Sequence, residues 1–273
     1  MTTAPAVNHL LERAVVKMLI NIGSSKDPAF LFKGSGFFIS PDYVLTAHHC
    51  LETLVDGQEI YVENHTYGRM RVILEREKSY PSQAIDIAVL KLVTKIEITD
   101  YLPLGLITEH NFDNEILAVG YPSEDFQLVR GRIHGVSSKI PQFYTDVTKA
   151  KGQSGSPVYH LEMNRVVGIA LNLESGSQGG LAGRFDVLLR QWTELESLNQ
   201  QAIDRWDKLL QPKPLLSKPI VMTWGGVIAA VVLGVWLLLG RGCQLENTII
   251  KQEVGKEATG VVNTGSGNVT IGK

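Results

Sequence analysis

Cysteine is nearly absent from this 273-residue chain, which carries only Cys50 and Cys243. The two lie in segments of very different character, so a disulfide between them is not expected and a disulfide-stapled scaffold is excluded. Charge of one sign is also lacking. Lys and Arg number 26 against 28 Asp and Glu, a net charge of −2, so no basic field invites nucleic acid. The first twenty residues hold Glu12, Arg13 and Lys17. They lack the apolar stretch after a basic start that marks a secretory signal, and none is expected there. No metal or cofactor motif stands out, so neither is expected. Apolar residues make up 44% and charged residues 20%, the balance of an ordinary globular chain.

Long hydrophobic runs are missing with one exception. Residues 219–240, PIVMTWGGVIAAVVLGVWLLLG, contain no charge and are bounded by Lys218 and Arg241. As a helix this stretch is about 33 Å long, enough to span a bilayer. Trp224 and Trp236 lie towards its ends as interfacial anchors do. A single transmembrane helix is expected there. The tail beyond it, 241–273, lacks aromatic residues. Val261-Val262 and Val269-Thr270-Ile271 flank Thr264-Gly265-Ser266-Gly267, which reads either as a small hairpin or β-arc, ordered by a partner or by stacking on copies of itself, or as a disordered tail.

Before the run, residues 13–190 read as mostly β. Short apolar segments such as AVVKMLINI, GSGFFIS, YVLTA, IAVLKL, EILAVG and RVVGIALNL are separated by Gly, Pro, Asp and Asn. The expected fold class is all-β, antiparallel, with two halves divided near 96–113. Over 186–210 the period changes. Leu188, Trp192, Leu195, Ala202, Trp206 and Leu209 recur mostly at three and four residues, predicting one amphipathic helix that packs across the second half. Residues 201–218 hold the end of that helix and a linker.

Three strings carry chemistry. Thr46-Ala47-His48-His49-Cys50 comes first, then Asp86-Ile87-Ala88-Val89-Leu90, then Gly152-Gln153-Ser154-Gly155-Ser156-Pro157. A serine hydroxyl is a poor nucleophile until a base takes its proton, a third group orients that base, and backbone N–H groups receive the oxyanion. Histidine, aspartate and serine in this order supply the parts. Gly152 permits a tight turn that directs its own N–H and that of Ser154 to one point.

These strings resemble the trypsin-like, chymotrypsin-fold serine peptidases over roughly residues 10–200. TAHHC is similar to TAAHC, DIAVLKL to DIALLKL, and GQSGSP to GDSGGP or GNSGSP. LAVGYP at 117–122 and the approach YTDVTKAKGQSGSP resemble the bacterial HtrA-type and glutamyl endopeptidase branch more closely. The resemblance implies two six-stranded barrels with a C-terminal helix, within a domain at 1–200. It also implies His49 as base, Asp86 as orienting carboxylate, Ser154 as nucleophile, and an oxyanion hole from Gly152 and Ser154. The specificity pocket would take Thr148 and Lys149 on one wall and Ala170, Leu171 and Asn172 on the other, with Lys151 at its rim. No aspartate stands at its base, and Ala170 replaces the histidine of glutamyl endopeptidases, so a small or medium apolar side chain is expected before the scissile bond. Gln153 replaces the aspartate that captures a new N-terminus in zymogens, so activation by that route is not expected. The remaining histidines, His9, His65, His110, His134 and His160, are expected on the surface or in loops.

The function expected is a membrane-anchored serine endopeptidase acting on protein or peptide substrates in regulated, stress- or defence-related cleavage. The short tail resembles bacterial and fungal amyloid-signalling motifs, which implies homo-oligomers or a motif-bearing partner. Lysines and arginines flank the run almost evenly; the late position of the run and the unpaired Cys50 put the protease domain on the cytoplasmic side. A catalytically silent protease-fold binding module and a tail-driven assembly scaffold are the alternatives.

Overall fold

The computed structural model describes residues 4–24, 26–147, 150–171 and 180–211. After a helix α1 (Ala4–Ala14) the chain forms β1 (Val15–Asn21), β2 (Phe30–Phe38), β3 (Tyr43–Ala47), β4 (Glu59–Asn64), β5 (Gly68–Leu74) and β6 (Ile87–Leu92). A second set follows: β7 (Glu115–Gly120), β8 (Gln127–Val136), β9 (Gln142–Thr145), β10 (Pro157–His160), β11 (Arg165–Leu171) and β12 (Gly180–Gly183). Two helices end the described chain, α2 (Asp186–Gln191) and α3 (Thr193–Leu210).

Each set of six strands closes into a barrel, in the order β1-β2-β3-β6-β5-β4 and β7-β8-β9-β12-β11-β10. All the pairings within them are antiparallel, and β1–β4 and β7–β10 are the closing seams. Closure leaves neither barrel with a free sheet edge among the described residues. Residues 93–114 connect the barrels and contain the 96–113 stretch.

The apolar runs follow from burial on both strand faces. Successive side chains of a strand point to opposite sides. Val16, Met18, Phe38, Val44, Ala88 and Leu90 fill the first barrel. Their neighbours Val15, Phe37, Leu45, Ala47, Ile87 and Val89 pack outward, in one cluster with Leu117, Val119, Val166 and Ile169 of the second barrel. Ile116, Ala118, Val158 and Val167 fill the second barrel. The Ile87–Leu90 stretch is therefore buried without alternation, which welds the barrels along β3 and β6.

Two helical features depart from expectation. The single helix over 186–210 is two, because Trp192 is extended (φ −99°, ψ 94°) and α3 starts afresh after it. Leu188, Trp192, Leu195, Ala202 and Trp206 are buried as the spacing predicts, but Leu209, in the last turn of α3, is 41% exposed. Trp206 stacks edge-on against Tyr159 and donates its indole N–H to the Tyr159 hydroxyl at 3.1 Å. Asn199 pairs with both backbone groups of Leu104, so α3 also straps the inter-barrel connection. Helix α1 was not foreseen; its Val7, Leu11 and Ala14 lie on one face, in the cluster between the barrels.

Among the described residues no helix is long and apolar enough to cross a membrane. The expected span at 219–240 and the tail at 241–273 lie outside the described residues.

Candidate active site

Strand pairing delivers the first two site residues. In the β3–β6 ladder Ala47 faces Ile87. The residues just beyond, His48 and His49 after β3 and Asp86 before β6, therefore meet at one end of the barrel. A 3₁₀ turn, His48–Leu51, follows an extended Ala47, while Asp86 sits in the left-handed region at φ 49°. The His48 N–H donates to the Asp86 carbonyl at 3.2 Å, and the His49 N–H donates to Asp86 Oδ1 at 2.8 Å. The other carboxylate oxygen lies 2.6 Å from His49 Nδ1. One carboxylate thus fixes both the backbone and the ring of His49.

Burial of the imidazole opposes its charge. The hydrogen bond to Asp86 works the other way, aided by Cys50 and by the carboxylate's charge, and His49 is pushed up to about 10. With Nδ1 engaged, Nε2 is buried and has no hydrogen-bond partner among the described residues. Neighbouring His48 is pushed down by burial.

Ser154 lies in the turn that enters β10. Gly152 (φ +91°) and Gly155 (φ +84°) are left-handed. A Cβ on Gly152 would stand 2.9 Å from the Tyr121 carbonyl oxygen, and one on Gly155 would stand 2.0 Å from that of Ser35. Both positions therefore require glycine on two counts. Gln153 is buried and closes the turn on itself: its N–H donates to the Ala150 carbonyl at 3.1 Å and its Oε1 accepts from the Ala150 N–H at 2.8 Å. Neither the Gly152 nor the Ser154 N–H has a hydrogen-bond partner among the described residues. The turn abuts the histidine segment, with Cys50 Sγ 3.8 Å from the Ser154 carbonyl oxygen. The Ser154 hydroxyl is not hydrogen-bonded to His49, whose Nε2 is unpartnered; such bonds commonly tighten only when substrate is present.

The model for the trypsin-like peptidase domain matches residues 34–169, which contain all three of these side chains. This stretch is a trypsin-like peptidase domain. A protein named probable periplasmic serine endoprotease DegP-like, from Ectopseudomonas mendocina, is 32% identical over 191 residues, 67% of this chain and 38% of that protein. A second of the same name, from Hahella chejuensis, is 29% identical over 56% of this chain and 32% of its own length. The chain thus spans only 32–38% of the length of these relatives. The folds of the HtrA-type protease AlgW with decapeptide (TM-score 0.55, 17% identity, 72% of this chain and 68% of that one) and of the serine endoprotease from Yersinia pestis (0.53, 21%, 73% and 68%) are similar.

Around the peptidase turn, Ala170 is fully buried in the second barrel's core. Its backbone accepts the Gly155 N–H at 2.9 Å and donates to the Ser156 carbonyl at 2.8 Å. Leu171 ends β11 opposite Leu181. Thr148, Lys149 and Asn172, the other expected pocket residues, lie outside the described residues. Lys151 is exposed, and its carbonyl accepts the Ser123 N–H at 3.1 Å. A cleft of about 460 Å³ opens alongside, between Lys17, Glu63 and Arg69 of the first barrel and Tyr121, Glu124 and Phe126 of the second. None of its lining residues belongs to the serine turn.

One expectation about the histidines is corrected. His160 is neither on the surface nor in a loop: it ends β10 fully buried, with Nδ1 accepting the Met163 N–H at 3.2 Å, and burial pushes its pKa down. His9 lies on α1 and His134 on β8, the latter 3.3 Å from Asp146. Sequence reasoning missed Ser35 and Thr46, both fully buried beside the serine turn. Thr46 offered a signal, a hydroxyl inside the apolar YVLTA; Ser35, between two glycines and close to Lys33, offered none.

Proposed function

We propose that the protein is a serine endopeptidase in which Ser154, His49 and Asp86 act as a triad. The reading rests on one observation above all: Asp86 holds His49 at 2.6 Å through Nδ1 and leaves Nε2 unpartnered in the domain that carries the Ser154 turn. The Ser154 oxygen attacks the scissile carbonyl carbon as its proton passes to His49 Nε2. The oxyanion is received by the Gly152 and Ser154 N–H groups. His49 then returns the proton to the departing amine, the C–N bond breaks, and an acyl-enzyme remains. Water, deprotonated by the same ring, adds to the ester and frees Ser154. Asp86 keeps the ring in the productive tautomer and stabilises the imidazolium throughout.

The finer reading is a membrane-anchored enzyme. It is supported by the uncharged run at 219–240 and, for a protease domain on the cytoplasmic face, by the buried, unpaired thiol of Cys50. The DegP-like relatives are named periplasmic, the opposite compartment. Regulated cleavage of a few proteins in a stress or defence setting follows from the anchor and from a tail that would recruit copies or a partner of similar motif.

The test is hydrolysis of an unfolded protein and a peptide mixture by the purified full chain. Cleavage should fall at least about 10³-fold in Ser154→Ala and in His49→Ala. Equal cleavage by the variants would remove the triad from the account.

A further inference from the structure

We propose that Ser35 is a positioning residue for the oxyanion turn: its hydroxyl ties the Gly152 carbonyl to the Tyr121–Ser123 turn and keeps the Gly152 and Ser154 N–H groups aimed outward. The proposal rests on the peptidase reading above.

Ser35 is fully buried in β2 of the first barrel, yet its polar atoms all serve the serine turn or the strand behind it. Its N–H donates to the Ser154 carbonyl at 2.8 Å. Its own carbonyl accepts the Thr46 hydroxyl at 2.7 Å. Its Oγ accepts the Tyr121 N–H at 2.9 Å and donates to the Gly152 carbonyl at 3.0 Å. The direction is forced, because a backbone N–H can only donate and a carbonyl can only accept. The hydroxyl proton must therefore point at Gly152, and the rotor is locked.

That lock matters because peptide planes are rigid. In a trans peptide the carbonyl and the N–H point to opposite sides, so pinning a carbonyl aims the N–H behind it. The Gly152 N–H shares its plane with the Lys151 carbonyl, which the Ser123 N–H holds at 3.1 Å. Ser123 and Glu124 are both left-handed, at φ 54° and 74°. Two such residues in succession persist only where the surroundings hold them. The Tyr121 N–H on Ser35 Oγ fastens the start of that turn, and the Ser35 hydroxyl on the Gly152 carbonyl fastens the next plane, which carries the Gln153 N–H. The plane of the Ser154 N–H follows, its Gln153 carbonyl held by the Ser156 N–H at 2.9 Å, and the Ser35 N–H holds the Ser154 carbonyl beyond it; Ser35 thus pins the planes on both sides of the Ser154 N–H. A single hydroxyl from the first barrel therefore couples two turns of the second. The fit is close: a Cβ on Gly120 would lie 2.8 Å from Ser35 Oγ.

The experiment uses the full chain with Ser35→Ala and Ser35→Cys, the second keeping a weaker donor of similar size. For Ser35→Ala, kcat should fall by about 10–100-fold with KM within about twofold, since misaimed donors weaken the transition state more than substrate. The pH profile should keep its midpoint, because the His49–Asp86 pair is untouched. Deuterium uptake should rise in 121–125 and 150–156, with Ser35→Cys intermediate in rate and uptake. Should Ser35→Ala fail to fold, Ser35→Cys against wild type carries the comparison. Wild-type kcat and wild-type uptake in the folded variants would overturn the role of Ser35 while leaving the peptidase reading intact. An inactive wild type would overturn both.

Discussion

At His49 two effects compete, and the winner sets the pH dependence. Burial is the largest single effect and disfavours the imidazolium, while the 2.6 Å contact with Asp86 and the neighbouring Cys50 together outweigh it. The base must be neutral to accept the Ser154 proton, so a raised pKa moves the acid limb of kcat/KM upward. Its midpoint is expected above 6.5 and no higher than about 10. The consequence for stability has the opposite sense. A histidine whose folded pKa exceeds its unfolded one stabilises fully below about pH 6.5 and loses that contribution as pH rises through the folded value. Activity and this share of stability should therefore move in opposite directions across that window. Asp86→Asn removes the charge and leaves burial in command, so the midpoint should drop back to or below about 6.5 while activity falls by about 10⁴-fold. A pH–rate series on both proteins checks this; an unmoved midpoint would mean that Asp86 does not set it. His49, Asp86 and Ser154 were readable because each sits in a distinctive local string. Ser35 was not, because its hydroxyl meets a carbonyl 117 residues away, and no local pattern marks such a partner.

Among the elements, the strands were legible for a physical reason. Strands buried on both faces read as unbroken apolar runs, and β3, β6, β7 and β11 lie where such runs were seen. The turn glycine Gly152 was legible too, since it needs a left-handed backbone. The helices were harder. Helix α1 abuts β1 without a gap, Ala14 being followed directly by Val15, so the apolar text of the strand masks the helical spacing of Val7, Leu11 and Ala14. The break at Trp192 left no mark, because its ring is buried against Tyr43 at 4.9 Å and keeps the apolar period across the discontinuity. Periodicity records which side chains are buried, and it does not record whether the backbone between them is continuous.

The whole domain makes its site from two barrels that are joined by packing more than by the chain between them. The first supplies His49 and Asp86 from adjacent strands, the second supplies the Ser154 turn, and Ser35 bridges them. Helix α3 straps the connection through Asn199 and Leu104. Beyond it, the run at 219–240 is read as an anchor. The full chain is expected to remain with vesicles through alkaline extraction, and deletion of 219–240 to release it. A chain that washes off intact would contradict the anchor without touching the chemistry. The central claim is that Ser154 is an activated nucleophile, and its most direct test is covalent labelling. The full chain is treated with a fluorophosphonate and the adduct is located by mass spectrometry. The account predicts one adduct, on Ser154, absent in Ser154→Ala and strongly slowed in His49→Ala. A folded wild-type chain that takes no label, or takes it elsewhere, would contradict it.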